Sequence, residues 1–301
     1  MEFKLRISVT DRCNLRCIYC KPQIYLKKAL NEILSFEEIY NICAFFSSNF
    51  NLNTIKITGG EPLSRKDIHK LLGMLKGLKF KRLSITTNGI LLEEKINLLK
   101  ENGLDDLNLS LDTLKPDKFK KITGGELGKV LRGLEKTLKA KIPVKINFVL
   151  IRGINDDEIL DLLKWSWDLG VFLRFIEFMP FKSNILWKKD LLVDRDEILR
   201  TISSLDEFKE KEREGVTIKY FSKNGKGFGI IPSVSLPFCK VCNRIRITSD
   251  GYFIPCIKEK VKIPIKEIIE NPEKLYNIFS LKFKNEEMFF KPQNEMISIG
   301  G

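Results

Sequence analysis

Residues 83–111, LSITTNGILLEEKINLLKENGLDDLNLSL, decide the fold. An apolar, partly β-branched run at 83–87 is followed by a helix pattern at 93–102, and Gly103 is the residue type that commonly ends a helix. A second apolar run follows at 107–111. Strands joined through a helix lie parallel, because the helix carries the chain back to the start of the sheet. The segment therefore predicts a βαβ unit.

The same unit recurs through about the first 200 residues. Strand patterns that alternate with helix patterns occur at 5–10, 54–58, 83–87, 107–111, 144–151 and 172–178. The helix pattern after the second of these strands covers residues 65–78. Two helix patterns begin with a capping box, Ser35 with Glu38 and Asp194 with Glu197. Six units are too few for a full eight-fold barrel, so we expect an α/β protein with an incomplete (β/α)6 barrel of the TIM type rather than a doubly wound sheet. In both folds the functional residues belong at the carboxyl ends of the strands.

The pattern changes after about residue 215. Short β patterns and a hairpin around Asp250 and Gly251 replace the βα units, and two short helix patterns follow at 265–270 and 272–279. We therefore expect a core over residues 4–220 and an α+β C-terminal extension over residues 221–301.

Composition excludes some classes of protein. Hydrophobic residues make up 43% of the 301 residues and charged residues 30%, so the chain can form a core. The net charge of +13 favours anionic partners, although a lysine-rich solvated surface explains it equally well. With His69 as the only histidine, Ser–His–Asp hydrolysis is not expected. No apolar run approaches the roughly 18–20 residues that cross a bilayer and no signal peptide pattern is present, so we expect a cytoplasmic protein.

Six of the seven cysteines fall into two groups. The first contains Cys13, Cys17 and Cys20, and the second contains Cys239, Cys242 and Cys256. Cys43 lies in an amphipathic helix pattern and is expected in the core. Without an export signal, grouped cysteines indicate metal or redox sites rather than disulfides.

The first group places three thiolates in one loop after the first strand. Three such ligands suit an iron–sulfur cluster or zinc. In a 4Fe–4S cluster they would leave one iron open to a small molecule. The alternative is a zinc knuckle that takes a fourth ligand from elsewhere in the chain.

Residues 11–20, DRCNLRCIYC, resemble the cluster loop of the radical S-adenosylmethionine (SAM) enzymes, including an aromatic residue, Tyr19, before the last cysteine. Residues 58–62, TGGEP, resemble the glycine-rich motif with which that superfamily contacts the amino group of SAM. Glycines let a backbone approach a ligand closely. The resemblance implies a 4Fe–4S cluster that reduces SAM to methionine and a deoxyadenosyl radical, which abstracts hydrogen from the substrate.

The second group alone fits a structural zinc hairpin as well as a second cluster. Together with the first, it resembles the GTP 3′,8-cyclases of molybdenum cofactor biosynthesis, the MoaA family. The resemblance covers nearly the whole chain. It includes residues 57–63, 86–89, 108–112, 174–179, 233–235, 244–246 and the final glycine pair.

This resemblance implies the roles of particular residues. The two cysteine groups would each hold a 4Fe–4S cluster. The implied SAM contacts are Tyr19, Gly60, Ser110 and Met179. The implied GTP contacts are Arg6, Lys56, Thr86, Lys145, Arg244, Ile245 and Arg246, where Lys56 stands in place of an arginine found in much of the family. Guanidinium groups suit triphosphate oxygens. The tail residues Gly300 and Gly301 would take part in the reaction.

The implied reaction converts GTP to (8S)-3′,8-cyclo-7,8-dihydroguanosine 5′-triphosphate, which a cyclic pyranopterin monophosphate synthase would consume. The basic surface expected from the net charge would suit an acidic flavodoxin or ferredoxin as the electron donor. We expect a monomer or homodimer that binds neither membrane nor nucleic acid. Two alternatives are a radical SAM peptide-modifying enzyme with an auxiliary cluster, and a basic zinc or iron–sulfur protein that binds nucleic acid.

Overall fold

The structure is a computed structural model that describes residues 2–20, 29, 32–181, 186–238, 242–257 and 261–284. The predicted ligand Cys239 and the predicted tail residues Gly300 and Gly301 lie outside the described residues. Within the described ranges, no helix combines the length and the apolar composition needed to cross a bilayer.

The described part of the chain contains twelve strands and nine α-helices. The strands are β1 (Phe3–Ser8), β2 (Leu52–Thr58), β3 (Arg82–Thr87), β4 (Asp106–Ser110), β5 (Val144–Leu150), β6 (Phe172–Glu177), β7 (Lys209–Glu214), β8 (Thr217–Phe221), β9 (Gly227–Ile231), β10 (Arg244–Ile247), β11 (Tyr252–Ile254) and β12 (Ile263–Pro264). The helices are α1 (Phe36–Asn49), α2 (Ile68–Leu75), α3 (Leu92–Glu101), α4 (Pro116–Thr123), α5 (Leu127–Lys139), α6 (Ile159–Asp168), α7 (Arg195–Ile202), α8 (Ile265–Glu270) and α9 (Glu273–Lys284).

All twelve strands form one sheet in the order β12-β11-β10-β1-β2-β3-β4-β5-β6-β9-β8-β7. Strands β10, β1 to β6 and β9 run parallel to one another, and antiparallel strands extend both edges. The predicted α/β class with an incomplete barrel and a C-terminal extension is confirmed. The structure adds β9 and β10 as parallel strands at either side of the six predicted units. No helix pattern follows either strand, so the alternation in the sequence does not reveal them.

The sheet separates apolar and polar side chains because successive residues of a strand point to opposite faces. On β1 the fully buried Leu5 and Ile7 belong to the main core, which also contains residues of the surrounding helices. Lys4 and Arg6 occupy the other face and line a cavity. Arg244 on β10 and Thr217 on β8 line the same cavity although they are far apart in the strand order. The sheet is therefore curled, with its polar face inside.

Local signals set most helix boundaries correctly. The capping box of α1 is present, since Glu38 N–H donates to Ser35 Oγ (3.1 Å) and Ser35 N–H donates to Glu38 Oε2 (2.7 Å). Asp194 caps α7 through Glu197 N–H (2.9 Å). In contrast, α2 is shorter than the helix expected at 65–78, because Asp67 has a left-handed backbone with φ 55° and cannot continue a helix.

The second half of the chain is built into the same sheet. The hairpin of β10 and β11 turns at Gly251, where φ is 81°, as expected for glycine in a tight turn. Because β10 pairs with β1, residues more than 230 positions apart in sequence become direct neighbours, as Lys4 and Arg244 do. Phe279 on α9 packs edge to face on Phe3 with 5.1 Å between ring centroids.

Candidate active site

The loop that carries the first cysteine group follows β1 and lies at the carboxyl end of the parallel strands. Its backbone is fixed to the end of α4: Arg16 N–H donates to Thr123 O (2.8 Å), and Ile18 N–H donates to Ile122 O (2.9 Å). These two hydrogen bonds hold the loop in place independently of any ligand.

The three thiols of this loop are partly buried and close enough to affect one another. Burial raises the pKa of the Cys17 thiol, and negative charge on Cys20, Asp112 and Cys13 raises it further. Three thiolates brought together in this way repel each other, and metal coordination would remove that repulsion. The donor set therefore fits an iron–sulfur cluster.

Among the residues that the structure describes, no three Cys, His, Asp or Glu side chains converge on the position of a single metal ion. A 4Fe–4S cluster does not require such convergence, because each cysteine binds a different iron atom.

The glycine-rich turn after β2 packs directly on the cysteine loop. Gly60 N–H donates to Thr10 O (2.6 Å) and Glu61 N–H donates to Arg12 O (2.7 Å). A β-carbon on Gly60 would lie 2.2 Å from Arg12 O, and one on Gly59 would lie 2.7 Å from Thr10 O. The sequence suggested that these glycines allow close approach to a ligand. The structure shows that they already allow close approach to the backbone of the loop.

Glu61 joins the glycine-rich turn to the end of β3. Its buried carboxylate accepts hydrogen bonds from Leu63 N–H (3.0 Å), Thr87 Oγ1–H (2.7 Å) and Asn88 N–H (2.7 Å). Burial raises the pKa of Glu61 to about 7, although these three donors oppose the shift. The sequence alone indicates no role for this carboxylate, because two of its three partners, Thr87 and Asn88, come from the end of a different strand.

The ring of Tyr19 is held from the end of β4. Its hydroxyl donates to Asp112 Oδ2, and Asp112 Oδ1 accepts from Val149 N–H (2.9 Å). Burial raises the pKa of Asp112 to about 6, although both hydrogen bonds oppose the shift. The cysteine loop is thus anchored to β4 and β5 as well as to α4.

The four predicted SAM contacts lie around the same end of the barrel. Tyr19 is in the cysteine loop, Gly60 follows β2, Ser110 ends β4 and Met179 follows β6 by two residues. Parallel strands bring these positions together because their carboxyl ends meet at one edge of the barrel.

The inner face of the curled sheet encloses a cavity of about 570 Å³, open solvent at its mouth included. The basic residues that line it are Lys4, Arg6, Lys56, Arg82, Lys145, Arg174 and Arg244. Its acidic residues are Asp106, which contacts Arg82 (3.3 Å), and Glu214, which contacts Lys145 (2.9 Å). Basic groups outnumber acidic groups, so the cavity suits a polyanion.

The cations of the cavity are poorly solvated and repel one another. Burial lowers the pKa of Arg6, and the charges of Arg246, Arg244 and Arg174 lower it further. Burial also lowers the pKa of Arg174, to about 10. The buried Nε of Arg174 has no hydrogen-bond partner within the described residues. An anion in the cavity would accept hydrogen bonds from such N–H groups, and its negative charge would offset the repulsion between the cations.

Lys4, Arg82 and Arg174 line this cavity but were not among the predicted contacts. A signal for them exists in the sequence. In each case a basic residue alternates with apolar residues in a strand that is otherwise of the buried type, as in residues 4–7, KLRI. Such alternation places charge on the inner face of a barrel.

The other predicted GTP contacts, Thr86, Ile245 and Arg246, do not line the cavity. Thr86 is on the inner face of β3, two residues beyond the cavity residue Ser84, and does not line the cavity. Ile245 is fully buried in the main core, so only its backbone can face a ligand. Arg246 is buried beside Arg6, and burial together with the charge of Arg244 lowers its pKa to about 10.

The described members of the second cysteine group flank the hairpin of β10 and β11. Cys242 precedes β10, Cys256 follows β11, and each is less than a tenth exposed. Negative charge on either thiol raises the pKa of Arg246 against the effect of burial, so both lie near the arginine strand.

The first cysteine group and the described members of the second group, Cys242 and Cys256, lie at opposite ends of the barrel. Because β10 is parallel to β1 and Arg244 lies beside Lys4, Cys242 is at the amino end of the strands. The Cys13 loop is at the carboxyl end, and six residues of strand extend roughly 20 Å. The predicted site residues therefore extend through the barrel interior, beyond the carboxyl ends of the strands where the sequence analysis expected function to lie.

The comparison with known protein families first defines the class of the protein. Residues 7–166 match the model of the Radical SAM superfamily, and residues 171–290 match the model named Molybdenum Cofactor Synthesis C. Solved structures share the fold at low identity. Streptococcus suis SuiB bound to S-adenosylmethionine is 16% identical, with a TM-score of 0.69 and coverage of 95% of this chain and 69% of that chain. Native anSMEcpe with bound AdoMet is 19% identical, with a TM-score of 0.65 and coverage of 94% and 84%.

Curated relatives then define the family. A protein of Clostridium botulinum named GTP 3′,8-cyclase is 38% identical over 309 positions, which cover 99% of this chain and 97% of that protein. A protein of Listeria monocytogenes with the same name is 40% identical over 308 positions, covering 98% and 92%. The chain belongs to the GTP 3′,8-cyclase family of the radical SAM superfamily.

Proposed function

We propose that this protein is a GTP 3′,8-cyclase that catalyses the first step of molybdenum cofactor biosynthesis. It would convert GTP to (8S)-3′,8-cyclo-7,8-dihydroguanosine 5′-triphosphate. One hydrogen leaves C3′ of the ribose, C3′ bonds to C8 of guanine, and one electron and one proton complete the product, which is an isomer of GTP. The curated relatives carry this name over nearly their whole length, which supports this reading over the peptide-modifying and nucleic-acid-binding alternatives.

The observation that carries the proposal is the cationic cavity inside the barrel. GTP would place its triphosphate among basic side chains that burial and mutual repulsion make poorly stabilised without an anion. Arg6, Lys56, Lys145 and Arg244 would bind it, with Arg174 as a further donor. Lys56 would contribute a charge but not the two-pronged contact of an arginine. Thr86, Arg246 and the backbone of Ile245 would contact the nucleoside end.

The protein uses SAM and an iron–sulfur cluster, as its superfamily does. We propose that Cys13, Cys17 and Cys20 hold this cluster and that Tyr19, Gly60, Ser110 and Met179 contact SAM. Together the two cofactors supply the one-electron chemistry that generates a hydrogen-abstracting radical. The residues of this chain fix the loop through Glu61, Asp112 and the end of α4, and so define where the substrate must lie.

A second 4Fe–4S cluster is proposed on Cys239, Cys242 and Cys256. The near-complete burial of Cys242 and Cys256 beside the arginine strand supports it. Its open iron would hold the guanine at the amino end of the barrel.

The tail residues Gly300 and Gly301 would reach into the active site. We also propose residues 4–220 as the core and residues 221–301 as the extension that closes the site.

An acidic one-electron carrier of the flavodoxin or ferredoxin type is the proposed electron donor. Arg16 in the cysteine loop and Lys120 and Lys121 on α4 are exposed, and backbone hydrogen bonds join these two segments directly. Their positive charge would attract an acidic partner close to the cluster.

The product would pass to a cyclic pyranopterin monophosphate synthase. Grouped thiols that must stay reduced fit a cytoplasmic enzyme, monomeric or homodimeric.

Anaerobic reconstitution tests the proposal. The protein should bind about eight irons per chain, since each of two clusters contains four. With a reductant, SAM and GTP deuterated at C3′, it should form deuterated 5′-deoxyadenosine and the cyclised nucleotide. If 5′-deoxyadenosine forms without deuterium and GTP is recovered unchanged, the proposed substrate is wrong. About four irons, or zinc on the second group, would contradict only the second cluster.

A further inference from the structure

We propose that Asn88 raises the reduction potential of the cluster at Cys13, Cys17 and Cys20 by donating a hydrogen bond to the sulfur of Cys13. This inference rests on the proposed function, because it requires the cluster to bind there. It assigns a role in the chemistry to a residue that neither touches the cavity nor belongs to the cysteine loop.

The side-chain amide of Asn88 reaches the loop from the end of β3. Its Nδ2 lies 3.8 Å from Cys13 Sγ, within the range of hydrogen bonds to sulfur, and 2.8 Å from Asn14 Oδ1. The amide group carries two N–H donors, which matches the two acceptors. Leu15 N–H also donates to Cys13 Sγ (3.4 Å). The sulfur of Cys13 therefore faces N–H donors from two separate segments.

The orientation of the amide is fixed by its other end. Oδ1 of Asn88 accepts a hydrogen bond from Ile90 N–H (3.1 Å). Rotation by 180° about the last side-chain bond would place the NH2 group against that N–H donor and the oxygen against Asn14 Oδ1, and both hydrogen bonds would be lost. The donor end of Asn88 must therefore point to the cysteine loop.

The backbone of Asn88 is fixed as well. Its N–H donates to Glu61 Oε2 (2.7 Å), and Glu61 is also held by Thr87 and Leu63. Glu61 in turn follows Gly60, which packs on the backbone of the loop. The Asn88 amide and the Cys13 sulfur thus belong to one rigid assembly, and the donor does not need to be ordered when the cluster is reduced.

The effect on the potential has a definite sign. Reduction adds one negative charge, part of which resides on the cysteine sulfurs. An N–H donor to such a sulfur stabilises the reduced form more than the oxidised form and therefore raises the potential. Loss of the donor should make the cluster harder to reduce.

Two variants test this in the full-length holoenzyme. Asn88→Ala removes the donor, and Asn88→Asp keeps an oxygen that can accept from Ile90 N–H but replaces the donor by a second oxygen. The midpoint potential is measured by anaerobic titration of the reduced-cluster EPR signal that changes when SAM is added, which selects the first cluster. We expect both potentials to fall. If loss of the donor weakens the reduction equilibrium about tenfold, the midpoint potential falls by about 59 mV, since one electron is transferred. The shift should be at least as large in Asn88→Asp, because it also adds negative charge.

Asn49→Ala is the control, because the Asn49 amide is exposed on α1 and donates within its own helix to Phe45 O (2.8 Å). It should titrate like the wild type. An unchanged or raised potential in Asn88→Ala would overturn the inference even if Asn88→Asp falls, since the added charge of aspartate lowers the potential without any hydrogen bond. If the wild type itself shows no EPR signal that responds to SAM, the proposed cluster at Cys13, Cys17 and Cys20 is wrong instead.

Discussion

Arg6 on β1 and Arg246 on β10 lie side by side in a parallel register, where Arg246 is buried and Arg6 is partly buried at the wall of the cavity. After burial, the charge of Arg246 is the largest cause of the lowered pKa of Arg6. Two neighbouring cations with little access to water repel each other, and an anion between them would offset that repulsion. Their position beside a cavity rich in positive charge is best explained by an anionic substrate.

Replacement of Arg246 by alanine separates substrate binding from folding. Arg246→Ala should weaken GTP binding by about tenfold or more, since a hydrogen bond to a charged group is worth roughly 1.5–3 kcal/mol. The melting temperature should not fall, because the change removes a repulsion. Calorimetry measures the dissociation constant of GTP. The Arg246→Ala protein should still form 5′-deoxyadenosine slowly from SAM without converting GTP. Arg200→Ala on the exposed side of α7 is the control. Normal GTP affinity in Arg246→Ala would remove this residue from the site.

Replacement of Gly60 should disrupt the cysteine loop. In Gly60→Ala the new β-carbon would lie 2.2 Å from Arg12 O, which is a backbone atom and cannot rotate away. Overpacking of this kind typically costs about 1–3 kcal/mol. We expect a lower melting temperature and loss of iron from the first site. Gly77→Ala provides a matched control, since its β-carbon would meet no atom within 4 Å. Equal stability and iron content in the two variants would contradict the packing argument.

The contact between Glu214 and Lys145 should be visible in the pH dependence of stability. Burial alone would raise the pKa of Glu214, but hydrogen bonds and charge from Lys145 and Lys219 outweigh it and lower the pKa from 4.5 to about 2. A lowered carboxyl pKa stabilises the fold above pH 4.5, and this contribution is lost as the pH falls from 4.5 through 2.

Denaturant unfolding of the protein between pH 2 and pH 6 measures this effect. The wild type should lose stability over the acid window, and Glu214→Gln should lose less, since glutamine does not titrate. Glu94→Gln, at an exposed position on α3, should follow the wild type. Parallel curves for wild type and Glu214→Gln would show that the ion pair does not stabilise the fold.

The basic surface beside the cysteine loop should control electron delivery. The double variant Lys120→Glu, Lys121→Glu should be reduced by a reduced flavodoxin about tenfold more slowly at low salt, because charge complementarity mainly affects the rate of association. Reduction by dithionite should be unchanged. Lys76→Glu with Lys79→Glu makes the same change in net charge on exposed residues elsewhere. If both double variants are reduced by flavodoxin at equally lowered rates, overall charge explains the effect and the proposed surface is wrong.

Local patterns predicted a large part of the fold. The βα alternation gives β1 to β6 and the helices after them, because both periodicities arise from residues close in sequence. The capping box at Ser35 is present for the same reason. Asp194 caps α7 as predicted, but the Glu197 carboxylate binds Arg152, so only the N-cap half of the second box is seen. The predicted start of α2 was wrong, because no residue pattern in the sequence indicates the left-handed backbone of Asp67.

The two cysteine groups, the glycine-rich turn and the family were apparent from the sequence, since each motif is a short run of residues whose chemistry depends on spacing. The tertiary structure decided that β9 and β10 join the sheet and that Lys4, Arg82 and Arg174 line the same cavity. It also decided that Cys242 and Cys256 lie at the opposite end of the barrel from the first cysteine group. The tertiary structure further decided that the Asn88 amide donates to Cys13 Sγ while the Asn88 backbone N–H donates to Glu61. These contacts join segments up to about 240 residues apart, and their formation depends on strand pairing and burial over the whole sheet, which no local pattern encodes.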